Sequence, residues 1–251
     1  MKTKLFTILA LSLIVTLVLS VPVQAKKAKG PVDKGVFIDY AKAKGGKGGG
    51  GGRGGGGGKG GPPTDQSTTY KYSGVHWENP NVTYRVDQAS SGLDPSAALS
   101  AVQAGFDTWE NELNPFGLPD MSIINYTYDP TAVTHSGGPN LDGENSVSWG
   151  PTPSGAIAVT YYWYYRQGKR LVETDMVLSN ALPWSTTGAS TAYDVHNITA
   201  HEAGHTLVLL DLYREKDKEL TMYGYGSLGE TKKQDLGIGD MLGVEKIYPT
   251  P

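Results

Sequence analysis

Residues 201–212 read HEAGHTLVLLDL. Two histidines stand four apart, a glutamate follows the first, and Asp211 lies six residues beyond the second. On a helix, His201 and His205 share one face, one turn apart, so both imidazoles can reach a single ion at about 2.0–2.1 Å. Glu202 is placed to serve a metal's water rather than the metal itself. Zinc lowers the pKa of such a water towards about 7, and the carboxylate takes its proton as it attacks a polarised carbonyl. A catalytic zinc also needs a third protein ligand and an open fourth position. Asp211 can be that ligand only if the helix stops and the chain turns back, because a straight helix would carry it along the axis and off the histidine face. Glu215, Asp217 and Glu219 are the other carboxylates close by. A ligand from a separate, later helix fits poorly with TMYGYG (221–226), which reads as a turn. The plain alternative is an amphipathic helix carrying two inert histidines.

The rest of the chain narrows this choice. Its 251 residues suffice for one or two domains. There is no cysteine, which excludes disulfides and thiolate zinc sites and leaves His, Asp and Glu as metal ligands. The net charge of -3 hides an asymmetry. Residues 1–61 carry eleven Lys or Arg against two Asp, whereas residues 62–251 carry eleven basic against twenty-three acidic side chains. An acidic domain is a poor partner for nucleic acid, whose phosphates need a basic face.

Lys2 and Lys4 precede an apolar run over 5–19, and Val23-Gln24-Ala25 supplies small residues for cleavage. Residues 1–25 therefore read as a secretory signal peptide. The run is short for a membrane span, so the mature chain is expected outside the cytoplasm with no span after cleavage. Residues 26–68 are expected to be a lysine- and glycine-rich flexible segment or propeptide. They include an apolar island, Val36-Phe37-Ile38, and the stretch GGKGGGGGRGGGGGKGG at 45–61. Such a stretch buries too little apolar area to order itself and reads as a spacer. The alternative is a tether to an anionic cell surface.

Residues 69–251 carry the pattern of one core. VTYRV (82–86) alternates and predicts a strand. Asp94-Pro95 predicts a helix N-cap, and Ala98, Val102, Phe106, Trp109 and Leu113 form the stripe of a long helix over 96–113. Further strands are expected over 121–128, 155–165 and 173–179. Thr191 with Asp194 resembles a capping box that opens the HEAGH helix, and a last helix is expected over about 240–248. A strand, a helix, several strands and then helices describe an α+β fold, here a mixed twisted sheet with helices on it.

This arrangement resembles the matrixin-like metzincins, a family of secreted zinc endopeptidases with the pattern HExxHxxGxxH followed by a methionine turn. The resemblance implies His201, His205 and Asp211 as ligands of one catalytic zinc, Glu202 as general base, and Met222 beneath the metal. Aspartate as third ligand is similar to snapalysin-type members. HWENPNVTYRV (76–86), GFDTWENEL (105–113), GAIAVTYYW (155–163) and DLGIGDMLGVEKIY (235–248) resemble family segments in the same order. GAIAVTYYW resembles the antiparallel edge strand, so a peptide is expected to lie along Ile157, Ala158, Val159 and Thr160, adding a strand through its main chain. Tyr223 and Tyr225 are candidates for a tyrosine near the metal. The sequence departs from the family at Val208, where a glycine makes the turn; near Val159, where a structural-zinc histidine is lacking; at Gly239, in place of an acidic residue; and in having no latency cysteine.

Other residues read more plainly. Tyr161 to Tyr165 suit sheet packing, and His76, His135 and His196 suit structural or exposed roles. Asp142-Gly143-Glu144-Asn145 reads as a polar turn, with calcium on hard oxygens as the weaker reading. The leading expectation is a secreted, monomeric zinc endopeptidase acting on a peptide or protein. The alternatives are a zinc-stabilised, non-catalytic extracellular binding module and a surface-adhesive protein whose glycine-lysine tether is the working part.

Overall fold

The computed structural model describes residues 31–42 and 66–251. The expected signal peptide and the glycine-rich stretch 45–61 lie outside the described residues. Among the described residues no helix is long and apolar enough to cross a membrane.

A seven-stranded sheet runs through the molecule. Its strands are β1 (Val32–Ala41), β2 (Asn81–Val86), β3 (Asn125–Tyr128), β4 (Ser146–Gly150), β5 (Ala156–Tyr165), β6 (Arg170–Ser179) and the short β9 (Tyr225–Gly226), in the order β3-β2-β4-β6-β5-β1-β9. The β3–β2, β2–β4 and β4–β6 pairs are parallel, and β6–β5 and β5–β1 are antiparallel. A separate parallel pair, β7 (Trp184–Ser185) with β8 (Tyr193–Asp194), leads into the second helix. Three α-helices complete the α+β fold: α1 (Pro95–Glu110), α2 (Val195–Thr206) and α3 (Ile238–Ile247).

The reasons are local at most of these places. Asp94 caps α1 by accepting from the Ala97 N–H at 2.9 Å, and Pro95 occupies its first turn as the dipeptide predicts. Ala98, Val102, Phe106 and Trp109 then bury the stripe in the main core with Val82, Tyr84, Met176 and Leu178. Phe106 stacks on Tyr84 with ring centroids 3.9 Å apart.

Several expectations are corrected. The strand expected over 121–128 is regular only from Asn125; before it, Ser122 makes a single bridge to Pro249. The cap of α2 is Asp194, which accepts from the Asn197 N–H at 2.9 Å, and not Thr191. The central strand β4 has no counterpart in the sequence reading. Within the segment read as flexible, residues 32–41 form a regular strand of the main sheet. For that reason the outer edge of β5 is not free: Val36, Phe37, Ile38 and Asp39 pair with Tyr161, Thr160, Val159 and Ala158.

Candidate metal centre

Helix α2 is buried almost all round, the mark of a core helix rather than an amphipathic surface one. His201, Glu202 and His205 are fully buried within it. It lies close against α1 because Gly105 has no side chain: a Cβ there would come within 2.7 Å of the Thr199 side chain and 2.8 Å of the Ala200 amide nitrogen. The indole Nε1–H of Trp109 donates to the Ala200 carbonyl at 2.6 Å across this contact. Gly204, the fourth residue of HEAGH, leaves room for the sulfur of Met222 and the ring of Trp109.

The helix ends at Thr206, with Leu207 as its C-cap. Val208 then takes a left-handed conformation, φ 58°. The Val208 N–H bonds to the His205 carbonyl at 2.9 Å and the Leu209 N–H to the Gly204 carbonyl at 3.2 Å, the two bonds of a Schellman ending. A valine therefore makes the turn that glycine usually makes. It is fully buried and packs with Val75 and Leu171, and that burial offsets the conformational cost. Past the turn, the Leu212 N–H bonds to the Met222 carbonyl and the Gly224 N–H to the Leu212 carbonyl, both at 2.9 Å. These bonds bring Asp211 back beneath α2.

Three ligand atoms converge there. Asp211 Oδ1 lies 3.3 Å from His201 Nε2 and 3.4 Å from His205 Nε2. Each of the three is buried without a hydrogen-bond partner. The other imidazole nitrogens are engaged: His201 Nδ1 lies 2.7 Å from the Thr221 carbonyl and His205 Nδ1 2.8 Å from the Leu209 carbonyl. A proton on each Nδ1 leaves Nε2 as a lone pair facing Asp211, the arrangement in which histidines bind metals. Ligands about 2.0–2.1 Å from a tetrahedral zinc stand about 3.3–3.4 Å apart, so the donor set fits such an ion. Two nitrogens and one carboxylate oxygen also match zinc chemistry.

The electrostatics agree with a site built for positive charge. Burial pushes the Asp211 carboxyl up, but the neighbouring His205 and His201 outweigh it and hold the carboxyl far below the usual range. Burial lowers His205, and Asp211 more than reverses this, leaving it raised. Burial raises Glu202; the two imidazoles oppose the shift and the Asp39 carboxylate reinforces it.

Glu202 is held by a residue of the strand below. Thr160 Oγ1–H donates to Glu202 Oε2 at 2.5 Å, while Oε1 is buried with no partner. Thr160, expected as part of the peptide-binding strand through its main chain, turns its side chain to the glutamate. Ile157, Ala158 and Val159 are fully buried, so only their main-chain edge could meet a peptide. The Asp211 carboxylate is contacted by Tyr213, whose hydroxyl donates to Oδ2 at 3.1 Å. The expected tyrosines stand one layer out: Tyr225 packs its ring edge-on to Tyr213 at 5.2 Å, and Tyr223 to Tyr225 at 5.7 Å.

Met222 lies buried beneath the histidine helix. Its turn is fixed by Asp240 of α3, whose carboxylate accepts from the Thr221 N–H at 2.7 Å, the Met222 N–H at 3.1 Å and the Gly237 N–H at 2.9 Å. Asp240 follows Gly239, the position singled out as lacking an acid. The remaining carboxylates go elsewhere: Asp217 accepts from Ser67 at 2.5 Å, and Glu215 pairs with Lys218 at 2.8 Å. His196 Nε2 lies 3.1 Å from Thr108 Oγ1, and His135 pairs with Asp142 at 2.7 Å. In the 142–145 turn, Glu144 pairs with Arg85 at 2.6 Å, and the Asp142 N–H donates to Glu173 at 3.1 Å.

Residues 76–249 match the family profile of the matrixins. The chain belongs to the matrixin family. Human (Homo sapiens) neutrophil collagenase is 26% identical to it over 179 residues, 68% of this chain and 33% of the relative. The chain thus spans about a third of that relative's length. The matrixin match takes in α1, β5, the HEAGH helix, Met222 and α3, and it leaves β1 outside. Matrixins are zinc metallopeptidases, and the two histidines and the aspartate form a group that could hold a metal ion.

Proposed function

We propose that this matrixin is a secreted endopeptidase that holds one zinc ion with His201, His205 and Asp211 and uses Glu202 as general base. The observation that carries the reading is the convergence of three partnerless ligand atoms at 3.3–3.4 Å, next to a glutamate oxygen that also lacks a partner. A zinc ion held there would supply an acidified water and polarise a peptide carbonyl. Glu202 Oε1 takes the water's proton and then hands it to the leaving amine. Thr160 holds Oε2 and leaves Oε1 without a protein partner, free to take a proton. The Nδ1 bonds to Thr221 and Leu209 fix the ring orientations and leave Nε2 for the metal. A peptide adds as an extended strand to the outer edge of β5, along residues 157–160. Secretion is supported by the sequence of residues 1–25.

The test is metal content and casein cleavage by the secreted chain, with Glu202→Gln and a chelator as controls. The expected result is about one zinc per chain in both proteins and a loss of rate of about 10²-fold or more in Glu202→Gln. Zinc in both proteins with cleavage by neither would point to a metal-stabilised binding module.

A further inference from the structure

The chain contains three Asn-X-Ser/Thr triplets: Asn81-Val82-Thr83, Asn125-Tyr126-Thr127 and Asn197-Ile198-Thr199. In a chain that leaves the cytoplasm, such a triplet is an acceptor for an N-linked oligosaccharide, provided that the folded protein leaves room for the sugar. The metal centre uses none of the three asparagines, and the fold treats them differently.

Asn197 is fully buried in α2, between the cap Asp194 and the candidate ligand His201. Its Oδ1 accepts from the Lys233 N–H at 2.8 Å. A sugar on its Nδ2 would have to displace the packing of the histidine helix. The other two triplets stand side by side. β2 and β3 run parallel and in register, with Asn81 opposite Asn125 and Thr83 opposite Thr127. Val82, Tyr84 and Tyr126 enter the core, so by the two-residue period the asparagines and threonines face away from it. Asn81 and Thr83 are exposed, whereas Asn125 is half-buried. The Asn81 Nδ2–H donates to Asn79 Oδ1 at 2.9 Å, a contact made at the surface. Neighbouring strands stand about 4.8 Å apart, so a bulky hydrated chain on Asn81 crowds Asn125.

We propose that Asn81 carries an N-linked oligosaccharide and is the single acceptor among the three triplets. The donor is a lipid-linked oligosaccharide phosphate. The bond from its first sugar C1 to the phosphate oxygen breaks, C1 bonds to Asn81 Nδ2, and the amide gives up one proton to the departing phosphate. Thr83, on the same face as Asn81, supplies the hydroxyl that the triplet requires. The assignment rests on the secretion reading and is independent of the peptidase reading.

The test is peptide mass mapping of the chain recovered from the medium and surface of the cells that make it, with its N-terminus read from the same sample. The expected result is a chain lacking residues 1–25 in which the peptide holding Asn81 carries added sugar mass, while those holding Asn125 and Asn197 do not. Asn81→Gln removes the added mass and speeds migration on a denaturing gel; Asn125→Gln leaves both unchanged. The map of the parent chain decides the matter even where a variant is not exported. A processed chain that is bare at Asn81, or that bears sugar on Asn125 or Asn197, overturns the assignment. A chain retained in the cell with residues 1–25 attached and no sugar refutes the secretion reading, and the assignment falls with it.

Discussion

His205 Nδ1 meets the carbonyl of Leu209 at 2.8 Å only because Val208, between them, turns the chain at φ 58°. The ring is thus aimed by a residue that disfavours the required conformation. A left-handed residue with a Cβ costs roughly 1–2 kcal/mol. Burying the valine side chain returns roughly 1.5–3 kcal/mol. The two terms oppose, so Val208→Gly is expected to change stability by no more than about 2 kcal/mol, with zinc affinity preserved. Denaturant unfolding and metal titration check this. A large loss of zinc affinity would show that the valine side chain, and not the turn, positions His205.

Thr160→Val keeps the shape of β5 and removes the hydrogen bond to Glu202 Oε2. A bond to a charged acceptor is worth about 1.5–3 kcal/mol, so kcat/KM is expected to fall by about 10- to 100-fold with zinc content unchanged. Thr160 lowers the pKa of Glu202 by favouring its ionised form. Its loss therefore moves the acid limb of the pH–rate profile to higher pH. An acid limb that stays in place would separate Thr160 from the general base.

Asp240 ties α3 to the methionine turn through two backbone donors, Thr221 and Met222, while also capping its own helix at Gly237, and the Thr221 carbonyl in that turn bonds His201. Asp240→Asn replaces one acceptor oxygen by an amide that clashes electrostatically with those donors. Zinc affinity is expected to drop by about 10- to 100-fold, the scale for losing support behind a metal ligand. Competition with a chelator of known affinity measures it.

Glu112 is buried just beyond α1 at φ 42° with neither oxygen paired. Burial, reinforced by Glu245 and Asp120, pushes its pKa up to about 8. The folded state thus holds the proton more tightly than the unfolded chain does. The contribution to stability is fully present below the ordinary glutamate range and is lost as pH rises towards 8. Glu112→Gln is expected to raise Tm at pH 9 and to leave it nearly unchanged at pH 4. Equal Tm shifts at both pH values would assign the effect to packing.

Local signals in the sequence account for much of this molecule. Asp94-Pro95 and the stripe Ala98, Val102, Phe106 and Trp109 define α1, although Leu113, expected as the fifth member, is exposed beyond the helix end at Glu110; HEAGH with an acid six residues on defines the candidate centre, since both are patterns of near neighbours. The misses depend on distant partners. β4 lies between β2 and β6, buried on both faces, so SVSWG shows no alternation to read. β1 looked like a short apolar island because its pairing partner is more than a hundred residues away. The side-chain direction of Thr160 and the role of Asp240 depend on how sheet and helices stack, which a linear pattern does not encode. At Val208 the local rule against positive φ was right about cost, and the packing of HEAGH outweighed it.

The placement of β1 also orders events during synthesis. Its two flanking strands come from residues 156–165 and 225–226, so a chain emerging from its N-terminus carries β1 unpaired until β5 has been made, and with one edge open until β9 follows. Pairings of such wide separation form slowly, after the nearer ones. The nascent protein therefore carries a strand with open edges through much of its synthesis, and it is in that interval that it is most exposed to aggregation.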